Sequence, residues 1–280
     1  MRRICKEEIA DAVCDLFLKA NTFLPDEAEK LIRDSAVSER NLRAKSILSV
    51  LSDNLDTAKK FGVPICQDTG MAVIFAEIGH EVMLDCPLQE SVDLGVHRAY
   101  LENQLRCSVV SDPLFERKNT LDNTPAILHI SITNGDQLKL IAAPKGFGSE
   151  NMSAIRMLKP SASPQDVIDF VVETVKTAGA NPCPPILIGV GIGGDFEQCA
   201  LLAKKALTRD VSKRNENNDY AQLENQILKS VNAIGIGPQG IGGDTTAFAV
   251  NIEYAPTHIA GLPCAVNINC HVMRHAEIIL

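Results

Sequence analysis

The chain has 280 residues, of which 45% are hydrophobic and 22% charged, with a net charge of −8, no tryptophan and nine cysteines. Folding a chain of this length buries about three quarters of its extended surface, enough for one large domain or two small ones. The acidic balance disfavours nucleic acid or an anionic membrane as partner, because both select a basic face.

MRRICKEEIADAVCDLF opens on a basic pair but soon carries Lys6, Glu7, Glu8 and Asp11, so it has neither the apolar core of a secretory signal nor the acid-free composition of a transit peptide. No run of 18 apolar residues is present, and a cytoplasmic protein is expected. Ile4, Ile9, Val13, Leu16 and Phe17 recur near helical spacing, and Pro25 followed by acids opens a second helix. Leu42, Ile47, Leu48, Leu51, Leu55 and Ala58 form the apolar face of a third, which ends at Phe61. Residues 1–61 are therefore expected to be a helical N-terminal portion.

MAVIFAEIG then changes to a strand pattern, and a helix is expected from about Leu88 to Leu105, with Arg106 at its end. AILHISI and QLKLIAA flank Asn134-Gly135, the dipeptide of two-residue hairpins. PKGFGSEN reads as a loop. Ser163-Pro164 opens a helix that Gly179 closes. PPILIGVG is a buried strand, DFEQCALLAKKAL a helix and KRNENND an exposed stretch; a helix near 220–232 and the strands TTAFAVNIEY and PCAVNINC complete the chain. The expected fold is mixed α/β: one domain over 1–280, its helical N-terminal portion packed on a mixed β-sheet core.

An odd number of cysteines, no CxxC pair and no export signal disfavour a disulfide framework, a zinc finger and a thioredoxin-like site. Cys5, Cys14 and Cys199 fall in helical patterns and read as apolar packing. Cys66, Cys183 and Cys270 instead fall at strand ends or in loops, where thiolates can be presented to an iron–sulfur cluster. Three thiolates would leave one iron of a four-iron cluster open as a Lewis acid. More than eighty residues separate each of these cysteines from the next, and spacing alone leaves the assignment open.

GVGIGG and GIGPQG both fit G-x-G-x-x-G, and the first follows a strand and precedes a helix, as a dinucleotide site requires. Asp210 lies at a distance suited to a ribose contact. Against this, Asp195 begins the helix and would occupy the N–H groups that a pyrophosphate needs. The second loop runs from helix to strand, the wrong order. The alternative is that these glycines let backbones pass closely or form anion-binding turns.

PICQDTG (64–70), KGFGSEN (145–151), NPCPP (181–185), GVGIGGDFEQCALLAKKAL (189–207), GIGPQGIGGDTTA (235–247) and PTHIAGLPCAVNINCHVMRHAE (256–277) occur in that order. Together they resemble the alpha, or N-terminal, part of class I iron–sulfur fumarate hydratases and their tartrate dehydratase relatives. The resemblance implies that Cys66, Cys183 and Cys270 ligate a [4Fe-4S] cluster whose fourth iron meets a small dicarboxylate. It further implies that Gln67, Asp68, Arg106 and Gly148 contact that substrate, and that His258 works with Asp68 in catalysis, a pairing completed across a subunit boundary.

The chemistry agrees, since hydration beside a carboxylate develops charge that a Lewis acid and a guanidinium fork can stabilise. Read without the resemblance, Asp68 before Thr69-Gly70 can equally be a turn acid and His258 a hydrogen-bonded core histidine. In single-chain members a C-terminal domain follows. Here a separate beta subunit is expected to supply it in a hetero-oligomer that interconverts fumarate and (S)-malate.

Two departures bear on the substrate: Phe147 takes the place of a small residue, and Asp244 stands where threonine or another small residue is frequent. The alternatives are a dehydratase for tartrate or a related hydroxy diacid, a nucleotide-binding regulatory module built on the glycine loops, and a cluster-bearing scaffold without catalysis.

Overall fold

A computed structural model describes residues 2–280. In chain order the elements are β1 (Arg2–Ile4), α1 (Lys6–Thr22), α2 (Asp26–Ser38), α3 (Leu42–Phe61), β2 (Val73–Gly79), β3 (Val82–Leu84), α4 (Leu88–Glu102), β4 (Ile127–Thr133) and β5 (Leu138–Ala142). There follow α5 (Phe147–Glu150), β6 (Ala154–Leu158), α6 (Pro164–Ala178), β7 (Ile186–Gly194), α7 (Phe196–Ala206), α8 (Asn218–Asn232), β8 (Ala247–Thr257), β9 (Leu262–Asn269) and β10 (Ala276–Ile279). Among the described residues, no helix is long and apolar enough to cross a membrane. Chain contacts gather the residues into two compact units. The first holds the residues up to Pro25, Leu55–Gly146 and Arg274–Leu280; the second holds Asp26–Asn54 and Phe147–Met273.

The first unit is built on a four-stranded mixed sheet in the order β10-β5-β2-β4, beside a small parallel pair of β1 and β3. Ile74 and Ala76 of β2 alternate with Val73 and Phe75, as a strand with both faces in use requires. The even-numbered face packs on α1 and α4 through Ile9, Val13, Phe17, Val92, Val96 and Tyr100. Gly95 lets those helices close up, because a Cβ there would stand 2.5 Å from the Ala10 carbonyl oxygen.

The hairpin expected at Asn134-Gly135 does not form. Strand β2 lies between β4 and β5, parallel to β4 and antiparallel to β5. The loop instead arches over the end of β2, accepting from Glu81 N at the Gly135 carbonyl and from Gly79 N at the Gln137 carbonyl. A left-handed glycine at the turn, with φ +97° at Gly135, serves this arch as well as it would a hairpin.

The second unit has a mixed sheet in the order β6-β9-β7-β8. Ile186, Ile188, Val190 and Ile192 of β7 face α6 and α8. The intervening glycines face α7: a Cβ on Gly189 would meet the Ala203 carbonyl oxygen at 2.1 Å, and one on Gly191 the Cys199 carbonyl oxygen at 1.9 Å. GVGIGG is thus a strand whose period-two glycines admit a helix backbone. Asp195 caps α7 by accepting from Gln198 N at 2.8 Å, as its position suggested. Asp210 is occupied in its own turn by the Ser212 N–H and hydroxyl. The close-approach reading of these glycines holds, and the dinucleotide reading loses its footing.

Ser163 and Asp166 form a reciprocal capping box at the start of α6. KRNENND is only partly exposed: Asn215 donates to the Ile252 carbonyl at 2.7 Å and to the fully buried Glu224 through its N–H at 3.1 Å. Cys199 is fully buried, as its helical pattern predicts, whereas Cys5 is the residue before α1 rather than part of it.

Candidate active site

In the first unit, Cys66, Gln67 and Asp68 occupy the loop after α3. Ile65 anchors the approach by burying its side chain and donating its N–H to the Asn21 carbonyl at 2.9 Å. The Cys66 thiol points to the Gln67 amide oxygen at 3.5 Å. Asp68 uses Oδ1 to accept from Gly70 N at 3.1 Å, which is the turn-acid geometry. Its other oxygen lies 3.1 Å from where a Cβ on Gly146 would stand.

Thr69 is buried and binds both ends of the Arg106 backbone unit, accepting from Arg106 N at 2.9 Å and donating to Arg106 O at 3.2 Å. The Arg106 side chain remains exposed. The Arg106 backbone is thereby tied to the residue that follows Gln67 and Asp68. The joint is Thr69, a residue to which the sequence analysis gave no role.

Gly70 is required at the next position. Its φ is +82°, and a Cβ would lie 2.8 Å from Lys145 N, because Met71 and Lys145 exchange both backbone hydrogen bonds at 2.9 Å. Two buried side chains hold the Gly70 carbonyl: the Tyr100 hydroxyl at 2.8 Å and Asn123 Nδ2 at 3.1 Å. Burial, with Asp68 adding to it, drives the Tyr100 phenol far above its usual range despite the opposing Arg274 charge, so Tyr100 acts as a fixed donor. Lys145 and Arg274 are also buried beside this loop. Sequence reasoning quoted both within motifs but gave neither a role; charged residues in glycine- and apolar-rich surroundings were the available signal.

In the second unit, antiparallel pairing of Leu187 with Asn269 puts the start of β7 beside the end of β9. Cys183, three residues before β7, and Cys270, one after β9, therefore share one end of the sheet. Cys183 is exposed and left-handed, with φ +54°. Its N–H donates to the Ala180 carbonyl at 3.0 Å, and its own carbonyl lies 3.0 Å from His271 Nδ1. Gln239 joins the same end: its N–H and side-chain amide donate to the Pro184 carbonyl at 2.7 and 2.8 Å, and the amide lies 3.4 Å from His271 Nδ1. Gly148, in α5, lies beside this loop, where a Cβ would make ordinary contact with the Asn181 carbonyl oxygen at 3.6 Å.

His258 lies elsewhere in the unit. It sits exposed in the β8–β9 connection, accepting from Ala260 N at 3.2 Å. The eight residues of β9 separate it from Cys270 by roughly 26 Å at about 3.3 Å per residue. Within one chain, the fold does not bring His258 to the cysteine end of the sheet.

Among the described residues, no three His, Cys, Asp or Glu side chains form a compact cage for a metal ion. The donor chemistry nonetheless suits an iron–sulfur cluster, whose ligands are thiolates arranged around a body of several atoms rather than about a single ion. Cys183 and Cys270 share a sheet end with backbone and amide donors around them, and Cys66 is half-buried beside polar partners. Each of the three is a thiol of the kind such a group takes as ligand.

The family model described as "Fumarate hydratase (Fumerase)" matches residues 10–279. A protein of Methanocaldococcus jannaschii, provisionally named L(+)-tartrate dehydratase subunit alpha, is 38% identical over 96% of this chain and 96% of its own length. The L(+)-tartrate dehydratase subunit alpha of Escherichia coli K12 is 29% identical over 98% of this chain and 91% of its own. With the motifs in order and nearly the whole chain matched, the protein belongs to the fumarate hydratase (Fumerase) family.

Proposed function

We propose that this chain is the alpha subunit of an iron–sulfur hydro-lyase that reversibly hydrates fumarate to (S)-malate. The observation that carries the reading is the Cys66–Asp68 loop, where a thiol, an amide and a carboxylate stand in succession and the next residue fastens Arg106 beside them. Cys66, Cys183 and Cys270 are assigned as ligands of a [4Fe-4S] cluster. With three thiolate ligands such a cluster offers a fourth, open iron as a Lewis acid for a substrate oxygen.

The chain's own residues bind and orient the diacid. Arg106 presents a planar fork to one carboxylate, Gln67 supplies an amide beside it, and Gly148 leaves room for backbone approach. Asp68, its carboxylate fixed by Gly70 N–H, is positioned to hold or move a proton at the carbon next to a carboxylate. His258 is assigned to the site of a neighbouring copy, which its exposure and its place at the far end of β9 support.

The relatives' names carry the words "subunit alpha", which supports a companion beta chain. A reducing cytoplasm suits nine cysteines and a cluster. A second reading, dehydration of L(+)-tartrate, is favoured by the same names and uses the same chemistry on a dihydroxy diacid.

Anaerobic co-purification with the companion chain, followed by assay of fumarate, (S)-malate and L(+)-tartrate, separates these readings. Higher kcat/KM on fumarate and malate supports the first. Turnover of tartrate alone replaces it with the second, and a cluster-loaded complex inert on all three contradicts both.

A further inference from the structure

The first unit's last segment begins at Arg274, only 4% exposed. Its guanidinium grips two loops at once. Nη2 donates to the Asp68 carbonyl at 2.6 Å and Nε to the Pro144 carbonyl at 3.2 Å. Nη1 is buried with no hydrogen-bond partner among the described residues. A buried guanidinium with an unmet donor is costly, and an apolar side chain of similar volume would fill the place without that cost. Something other than packing has to account for the charge.

Its surroundings supply the reason. The place a Gly146 side chain would take is bounded by Asp68 Oδ2 at 3.1 Å and Arg274 Nη2 at 3.8 Å, so guanidinium and carboxylate border one small space. Both act on the Tyr100 hydroxyl, which itself holds the Thr69 and Gly70 carbonyls at 3.0 and 2.8 Å. Fixing the Asp68 carbonyl from one side and the next two carbonyls from the other sets the direction in which the Asp68 side chain leaves the loop. Lysine cannot copy the arrangement, because an ammonium is a point donor and two carbonyls on separate loops need the planar fork.

We infer that Arg274 is a positioning residue that clamps the Gln67–Asp68 loop to the Pro144–Gly146 loop and so keeps the Asp68 side chain aimed. The inference rests on the proposed role of Asp68 at the substrate.

The test compares wild type, R274K and R274Q as full chains assembled with the companion subunit under anaerobic conditions. Iron content and hydrogen exchange are measured before any assay. The expected result is wild-type iron content, with faster exchange confined to residues 66–70 and 144–147. The kcat on the preferred diacid should be about 10- to 100-fold lower, the cost typical of a slightly misplaced catalytic group, with KM changed less than threefold. Substitution by lysine should recover part of the loss and by glutamine less.

Exchange and kcat matching wild type in R274K would overturn the inference. So would faster exchange throughout the first unit with unchanged kcat per folded enzyme, which would reduce Arg274 to a structural part. A wild-type complex inert on every diacid would refute the functional reading alone, while the exchange pattern would still decide the clamp.

Discussion

Glu39, in the joint between α2 and α3, is 4% exposed, and no motif announces it. Its carboxylate accepts from Asp244 N, Thr245 N, the Thr245 hydroxyl and Asn41 N at 3.0–3.1 Å, stapling the GGDTT loop next to the Pro238–Gly240 turn. Burial pushes the Glu39 pKa up, but the N–H groups of Asp244 and Asn41 and the Thr245 hydroxyl outweigh it and hold it below the ordinary value of 4.5. A lowered native pKa gives stability that is complete above the unfolded value and is lost as pH falls through the folded one. E39Q should therefore cost about 1–3 kcal/mol at pH 7, as loss of a charged buried acceptor does, and the gap to wild type should narrow once pH drops below about 4.5. Thermal unfolding of both proteins between pH 7 and pH 4 checks this; a gap independent of pH would contradict it. Asp244 was legible as a departure in its motif, yet its partner is about 200 residues away, where no local pattern reaches. The Arg40–Asp244 pair is exposed and adds little.

At the scale of elements, the strand β7 shows what local pattern can and cannot convey. Its alternating glycines were visible as a motif, but a motif does not say whether a ligand or a helix fills the space. The backbone of α7 fills it. G191A would drive a Cβ to 1.9 Å from the Cys199 carbonyl and should cost at least about 3 kcal/mol, at the upper end of overpacking. G62A, left-handed at φ +63° but with nothing within 4 Å, should cost only about 1 kcal/mol. Urea unfolding of the two variants tests the contrast, and equal losses would refute the packing account. S163A removes the capping box of α6 and should cost about 1 kcal/mol in the same assay. That cap was readable because its chemistry is local. The order β5-β2-β4 was not, since Asn-Gly specifies a reversal and cannot report that a third strand, β2, occupies the space between.

Over the whole chain, the mixed α/β class and the helical start were legible, because periodicity and caps speak locally. The neighbourhood of Cys183 and Cys270 was not, since it depends on β7 and β9 pairing antiparallel across an 82-residue gap between Leu187 and Asn269. His258 belongs to the same family motif as Cys270 yet sits at the other end of β9, so proximity in sequence misleads there. In the proposed division of labour the companion chain supplies the principal acid–base group, so the isolated alpha chain should show under about one hundredth of the turnover of the assembled enzyme. Titrating in the companion chain should restore activity to a plateau, and full activity without it would refute the division.

The most direct test of the central claim is iron and acid-labile sulfide per alpha chain after strictly anaerobic reconstitution with the companion chain, in wild type and C183S. About four of each are expected in wild type, with a marked fall in C183S while the complex stays folded. Wild type devoid of iron, or C183S carrying as much as wild type, would contradict the assignment of Cys183 as a cluster ligand and the hydro-lyase mechanism built on it.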